Sequence, residues 1–248
     1  MKKIAFITPT GDVDIRLYKF LKYFIDKCEV FLLSPEYKKI GHKALFKDLD
    51  YNKINKIDIA FSLSANFPYD IRRNRRIREI LLNIQPDFII CRDIMISGFL
   101  TTKLKKEVKA EFILDVCDSF PEVLAAMFGY KGKVLSYFAN KVEKKALKLF
   151  DTVCFVSPEA KNYIFAKHNL NKSSYILENV PYKMEKKKLK LELKNNKMVY
   201  LGTINEKIRD LETVFEGIAL LKSKFDKNFT LDIYYFENQI DIKKRYEA

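Results

Sequence analysis

The residues with the most chemical potential stand close together, in "FILDVCDSFPEVL" (112–124). A strand-like apolar run, Phe112 to Leu114, meets Asp115, and then Cys117, Asp118, Pro121 and Glu122 follow. Carboxylates at the end of a buried strand accept hydrogen bonds from hydroxyls. They also cap helices, and Asp118 stands ahead of Pro121 and Glu122 at N-cap spacing. Paired-carboxylate hydrolysis is a poor match. Its two carboxyls must face each other across a bond at about 5–9 Å, and neighbours on one turn do not.

Other polar corners follow other apolar runs. Thr10, Gly11 and Asp12 come after the first, where a glycine lets backbone N–H groups approach a phosphate or makes a plain turn. Arg92 and Asp93 end the fourth. The chain has no Gly-x-Gly-x-x-Gly and no Gly-Lys-Ser/Thr, which excludes the dinucleotide and P-loop signatures. Its two histidines, His42 and His168, are far apart and show no metal spacing, so they read as surface residues rather than as zinc ligands or triad members. No metal or other cofactor is expected.

These corners must be positioned by alternating strands and helices. Strand-like runs begin with "KIAFITPT", "EVFLLS", "IDIAFSL", "DFIICRD", "EFILDVCD", "DTVCFVS" and "SSYILENV". Between them lie helix-like runs at 14–27, 70–84, 97–107, about 121–149 and 158–167. Runs such as "FIIC" and "VCFV" are apolar throughout rather than alternating, which marks strands buried on both faces. The expected fold class is therefore α/β, a Rossmann-like doubly wound parallel sheet, with ligands outside the carboxyl ends of its strands. This domain should span 1–182. A basic linker, 183–197, carries seven lysines against two glutamates. The pattern then restarts over 198–248, with a strand to Leu201, a helix at about 210–224 and a strand at 229–236.

The succession of segments resembles the family 4 glycosyltransferases, with their two Rossmann-like domains (GT-B architecture). "GDVDIRLYKFLKYF" is similar to the loop and helix after that family's first strand, with Asp14 and Arg16 at its Asp-x-Arg. "QPDFIICRD", "ILDVCDSFPE", "VEKKALKLFDTVCFVSPEAKNYI", "YILENVP" and "MVYLGTINEKIRDLETVFEGIALL" resemble later segments in the same order. Cys117 stands where the family usually has histidine, and Thr203 where an arginine is frequent. The resemblance implies metal-free transfer of a sugar, with retention, from a nucleotide-sugar donor to a glycan or lipid-linked acceptor, in surface polysaccharide or glycoconjugate synthesis. Asp115 and Asp118 are then the catalytic candidates. Thr10, Gly11, Asp12, Cys117 and Glu122 would bind substrate, and Gly202, Lys207 and Arg209 the donor diphosphate. The family's Glu-x7-Glu donor segment has no counterpart within 248 residues. The 198–248 domain is thus expected to be incomplete, to lack much of the donor site and to give no transfer alone. The rival reading is a non-catalytic glycan- or lipid-phosphate-binding module.

The formal charge of +14 favours anionic partners without choosing one. "RRNRRIR" (72–78) and the amphipathic 130–150 region read either as ordinary helices with solvated basic faces or as contacts with an anionic membrane. Nucleic acid is not an expected partner, because the aromatic residues are not interleaved with the basic runs. Four scattered cysteines and no apolar run of membrane-spanning length point to the cytoplasm, with possible peripheral attachment at the inner membrane face.

Overall fold

The structure, a computed structural model, describes residues 1–9, 13–35, 46, 48–59, 70–179, 197–201, 211–225 and 230–234. The chain divides into two compact units, Met1–Tyr182 and Lys183–Ala248.

The first unit contains strands β1 (Lys2–Ile7), β2 (Cys28–Ser34), β3 (Ile54–Asp58), β4 (Phe88–Arg92), β5 (Glu111–Val116), β6 (Thr152–Phe155) and β7 (Ser174–Ile176). They form one sheet in the order β3-β2-β1-β4-β5-β6-β7. Every pairing is parallel, so the chain turns outward from β1 in both directions. This is the doubly wound sheet that the apolar runs imply. The third strand lies earlier than the sequence pattern places it. Val30 pairs with Ile54 and Ser34 with Asp58, while 60–69 fall outside the described residues.

The helices of this unit are α1 (Ile15–Phe24), α2 (Ile71–Ile84), α3 (Thr102–Glu107), α4 (Phe120–Leu149) and α5 (Pro158–His168). Strand side chains alternate between faces, which separates the core into two clusters. Ala5, Ile7, Ile89, Cys91, Phe112 and Leu114 join residues of α2, α4 and α5. Ile4, Phe6, Val30, Leu32 and Ile90 join Leu17, Tyr18 and Leu21 of α1. By this alternation Arg92, Asp115 and Cys117 emerge on the α1 face.

One helix is not straight. In a straight helix, residues 124 and 132 would be about 12 Å apart along the axis. A Cβ at Gly132 would instead overlap the Leu124 carbonyl oxygen and lie 3.0 Å from that of Ala125. The first turns of α4 therefore bend back on the remainder, and the close backbone approach requires a glycine there.

The second unit contains β8 (Lys197–Leu201), α6 (Leu211–Phe225) and β9 (Thr230–Tyr234), with β8 and β9 paired in parallel. It is one β-α-β unit of the same kind. Lys197, taken above as the end of the linker, is the first residue of β8, and 183–196 lie outside the described residues.

Candidate functional site

The rim at the carboxyl ends of β1, β4 and β5 carries a cluster of alternating charges. Arg92 and Asp115 are cross-strand partners. The N-terminus of α1 brings Asp14 and Arg16 to them, two residues apart. Asp14 is the N-cap: its Oδ1 accepts from the backbone N–H groups of Arg16 at 3.0 Å and Leu17 at 2.9 Å. Its other oxygen is ion-paired with Arg92. Burial opposes ionisation of Asp14, but Arg92 and the cap N–H groups outweigh it and hold the carboxyl below its ordinary range. The helix end thus already holds an anionic group of its own.

Arg16 makes the central contact. Its Nε donates to both oxygens of Asp115, at 3.0 and 2.8 Å, and Nη2 also donates to Oδ1. The remaining nitrogen, Nη1, donates to the Leu177 carbonyl and to Asn179 Oδ1, the latter at 3.1 Å. One guanidinium therefore ties α1, the end of β5 and the chain just beyond β7. Arg16 is 3% exposed and Asp115 fully buried. Between the α1 end and β5, Cys117 lies 4.0 Å from Arg92 Nη2. Burial first, and then Asp115, push its thiol up to about 11, so it stands there as a neutral thiol near neutral pH.

This geometry redistributes the expected site residues. Asp115, read above as a catalytic candidate, has both oxygens on a guanidinium and no exposed surface. It offers no oxygen to a sugar hydroxyl in this conformation. Asp118 is exposed at the same rim and makes no hydrogen bond or ion pair with another described residue. Nor does it cap α4. The N-cap is Ser119, whose hydroxyl turns to Glu122 instead of the backbone. Glu122 in turn receives Tyr163 Oη at 2.7 Å and Lys167 Nζ at 2.8 Å, so it braces α4 against α5. Thr10, Gly11, Asp12, Gly202, Lys207 and Arg209 lie outside the described residues. Among the described residues no group of histidine, cysteine, aspartate or glutamate has the geometry to hold a metal ion.

Two features escape the sequence reading. Glu143, fully buried on α4, accepts from Lys167 at 2.9 Å and contacts His168 Nε2 at 2.6 Å. His168 is accordingly not a surface residue. It lies three and four positions after Phe165 and Ile164, whose side chains are buried, and helical periodicity carries it inward. The second feature is Arg16. The Asp-x-Arg spacing was visible, but its partner stands 99 residues away and only the sheet order brings the two together.

No protein-family model matches this chain, and no curated protein matches it in sequence. Its fold recurs in solved structures. The apo lipopolysaccharide outer core galactosyltransferase WaaB superposes with a TM-score of 0.61 at 16% identity, over 99% of this chain and 64% of that one. Sucrose-phosphate synthase of Thermosynechococcus elongatus gives 0.57 at 10% identity, over 95% and 70%. Phytolacca americana UGT2, complexed with UDP-2fluoro-glucose and pterostilbene, gives 0.52 at 13%, over 98% and 73%. The chain thus has the Rossmann-like α/β fold of GT-B glycosyltransferases, and it spans just under two thirds of the length of the galactosyltransferase. At these identities the likeness is one of fold.

Proposed function

We propose that the protein is a nucleotide-sugar-dependent glycosyltransferase of the family 4 type, acting with retention on a glycan or lipid-linked acceptor in the cytoplasm. The observation that carries this reading is Asp118, an exposed carboxylate without a partner among the described residues. It sits at the carboxyl rim of a doubly wound sheet, where ligands of such sheets bind. Beside it, the Arg16–Asp115 and Asp14–Arg92 pairs fix the strand ends. Asp118 accepts a hydrogen bond from a sugar hydroxyl. Asp115 acts through Arg16 as a positioning residue. The bond from the anomeric carbon to the diphosphate oxygen breaks, the acceptor oxygen takes its place, and the departing diphosphate gains negative charge and takes up the acceptor's hydroxyl proton. Gly202, Lys207 and Arg209 are the groups proposed to meet that charge, because cations placed where charge develops lower the barrier. The four cysteines are free thiols, which suits a reducing compartment.

The test is release of a nucleoside diphosphate from a panel of nucleotide sugars in the presence of glycan and lipid-linked acceptors. Turnover with one donor supports the reading, and Asp118→Asn should then lower it at least about tenfold with the melting temperature unchanged. Full activity in Asp118→Asn would remove that residue from the site. No turnover is the outcome expected of a chain that lacks much of the donor site; saturable binding of a glycan or lipid-linked phosphate that Asp118→Asn leaves unchanged would instead overturn the transferase in favour of a binding module.

A further inference from the structure

The outer face of α4 combines exposed apolar side chains with a row of lysines. Past the bend at Gly132 its inward stripe is Ala139, Val142, Glu143, Ala146 and Leu147, all buried. The opposite stripe changes character along the axis. At the bend end it is apolar and exposed: Val134 52%, Tyr137 59% and Phe138 55%. Further on, at helical spacing from Val134 and Phe138, come Lys141, Lys145 and Lys148, with Lys144 beside them. These four lysines line a shallow cleft of about 500 Å³, closed on its other side by Thr101 and Thr102. None of the four makes an ion pair with another described residue. Lys141 joins the two halves of the stripe, its ammonium 4.5 Å from the Tyr137 ring centre. Lys131 and Lys133 flank the apolar end and are exposed.

A solvated helix face has no need of three large apolar side chains within two turns, and a protein-binding groove has no need of a row of lysines continuing it. Aromatic side chains of this kind favour the boundary between lipid headgroups and acyl chains, and lysines above them meet anionic headgroups. We infer that this stripe is a docking surface for an anionic phospholipid membrane: Val134, Tyr137 and Phe138 enter the headgroup boundary, and Lys141, Lys144, Lys145 and Lys148 take lipid phosphates. The other basic segment, 72–78, fits this role less well. Arg73 and Asn74 are buried, Arg75 pairs with Glu79 at 2.9 Å, and Arg78 donates to the Phe99 carbonyl at 2.8 Å. No helix among the described residues is long and apolar enough to cross a membrane, so α4 would lie on the surface. The inference is independent of the transferase reading, since its readout is vesicle binding.

The experiment is co-sedimentation of the full chain with vesicles of phosphatidylcholine alone or with 30% phosphatidylglycerol, at 0.1 and 0.5 M NaCl. Binding is expected to the anionic vesicles, at least about tenfold weaker to neutral ones, and weaker at high salt. A lysine at an anionic surface is worth about fivefold in binding. The triple variant Lys141→Glu, Lys145→Glu, Lys148→Glu should therefore lose at least about tenfold. Val134→Ser with Phe138→Ser should lose several-fold while keeping the salt dependence. All five positions are exposed, so melting temperatures should stay within a few degrees. A control with the same change in net charge, Arg72→Glu, Arg75→Glu, Arg76→Glu, should bind nearly as the parent does. The inference is overturned by absence of binding, by equal binding to neutral vesicles, or by equal loss in the control. It is also overturned if the apolar stripe proves to hold two copies together, seen as a dimer that Phe138→Ser dissolves without any vesicle binding.

Discussion

Asp115 shows how a residue type that suggests chemistry can stand in a structural pair. A carboxylate at the carboxyl end of a strand in an α/β sheet invites a catalytic reading, yet this one is consumed by Arg16. Removing one member of a buried pair leaves the other charged and unsolvated, which costs about 3–5 kcal/mol. Arg16→Met and Asp115→Asn should each destabilise the protein by about that amount in urea unfolding. The double variant should cost much less than the sum, because the orphaned charge is gone. Additive losses would show that the pair is not the unit described. What could be read from sequence at this scale was the identity of the polar corners: Arg92, Asp115 and Cys117 stand at run ends, while Asp14 and Arg16 entered only through the family resemblance. Their pairing was not legible, because Arg16 and Asp115 come together only through the β1-β4-β5 order. The partners of Glu122 and His168 were hidden for a related reason: Glu122 on α4 meets Lys167 on α5, and His168 on α5 meets Glu143 on α4.

At the scale of elements the continuous apolar runs proved the dependable signal. β1, β4, β5 and β6 each bury side chains towards both faces, and their runs carry no polar interruption until the rim. Ends were less legible. The 97–107 helix is a 3₁₀ segment at Ile94–Phe99 followed by α3, with Thr101 as the N-cap accepting from Leu104 N at 3.1 Å. The "RRNRRIR" helix was legible as basic but not as partly buried, because periodicity assigns Arg73 and Asn74 to the inner face only once the Ile77 and Leu81 side is fixed. The bend in α4 left a trace in two glycines, Gly129 and Gly132, within an otherwise strong helical pattern. Gly132→Ala is the test of that bend. Its methyl group meets backbone carbonyls, which cannot swing aside as a side chain can. A loss of about 1–3 kcal/mol is expected, where an alanine in a straight exposed helix would stabilise. A stabilised Gly132→Ala protein would mean that the helix runs straight.

For the whole molecule, the uneven distribution of the core decides what should fold alone. Both apolar clusters lie entirely before residue 171, on the two faces of one seven-stranded sheet. Every strand pair of that sheet, and the Arg16 contacts to Leu177 and Asn179, fall before residue 180. A 182-residue domain is of a size that buries roughly 70% of its unfolded surface, enough for cooperative folding. Residues 183–248 are of the size at which single domains become marginal. The described part of that unit leaves Val199 63%, Leu201 78% and Leu220 54% exposed. The fragment 1–182 should therefore unfold in urea in one sharp transition, with a midpoint close to that of the first unit in the full chain. The fragment 183–248 should show no cooperative transition and should bind a hydrophobic dye. Truncating further, to 1–172, removes β7 together with Leu177 and Asn179, and should lower the midpoint clearly, because Arg16 then loses two of its acceptors. If 1–182 behaves as a molten species, with helical signal but no cooperative transition, the second unit must supply part of its core after all. If 1–172 is as stable as 1–182, the Arg16 bond to the chain beyond β7 contributes little.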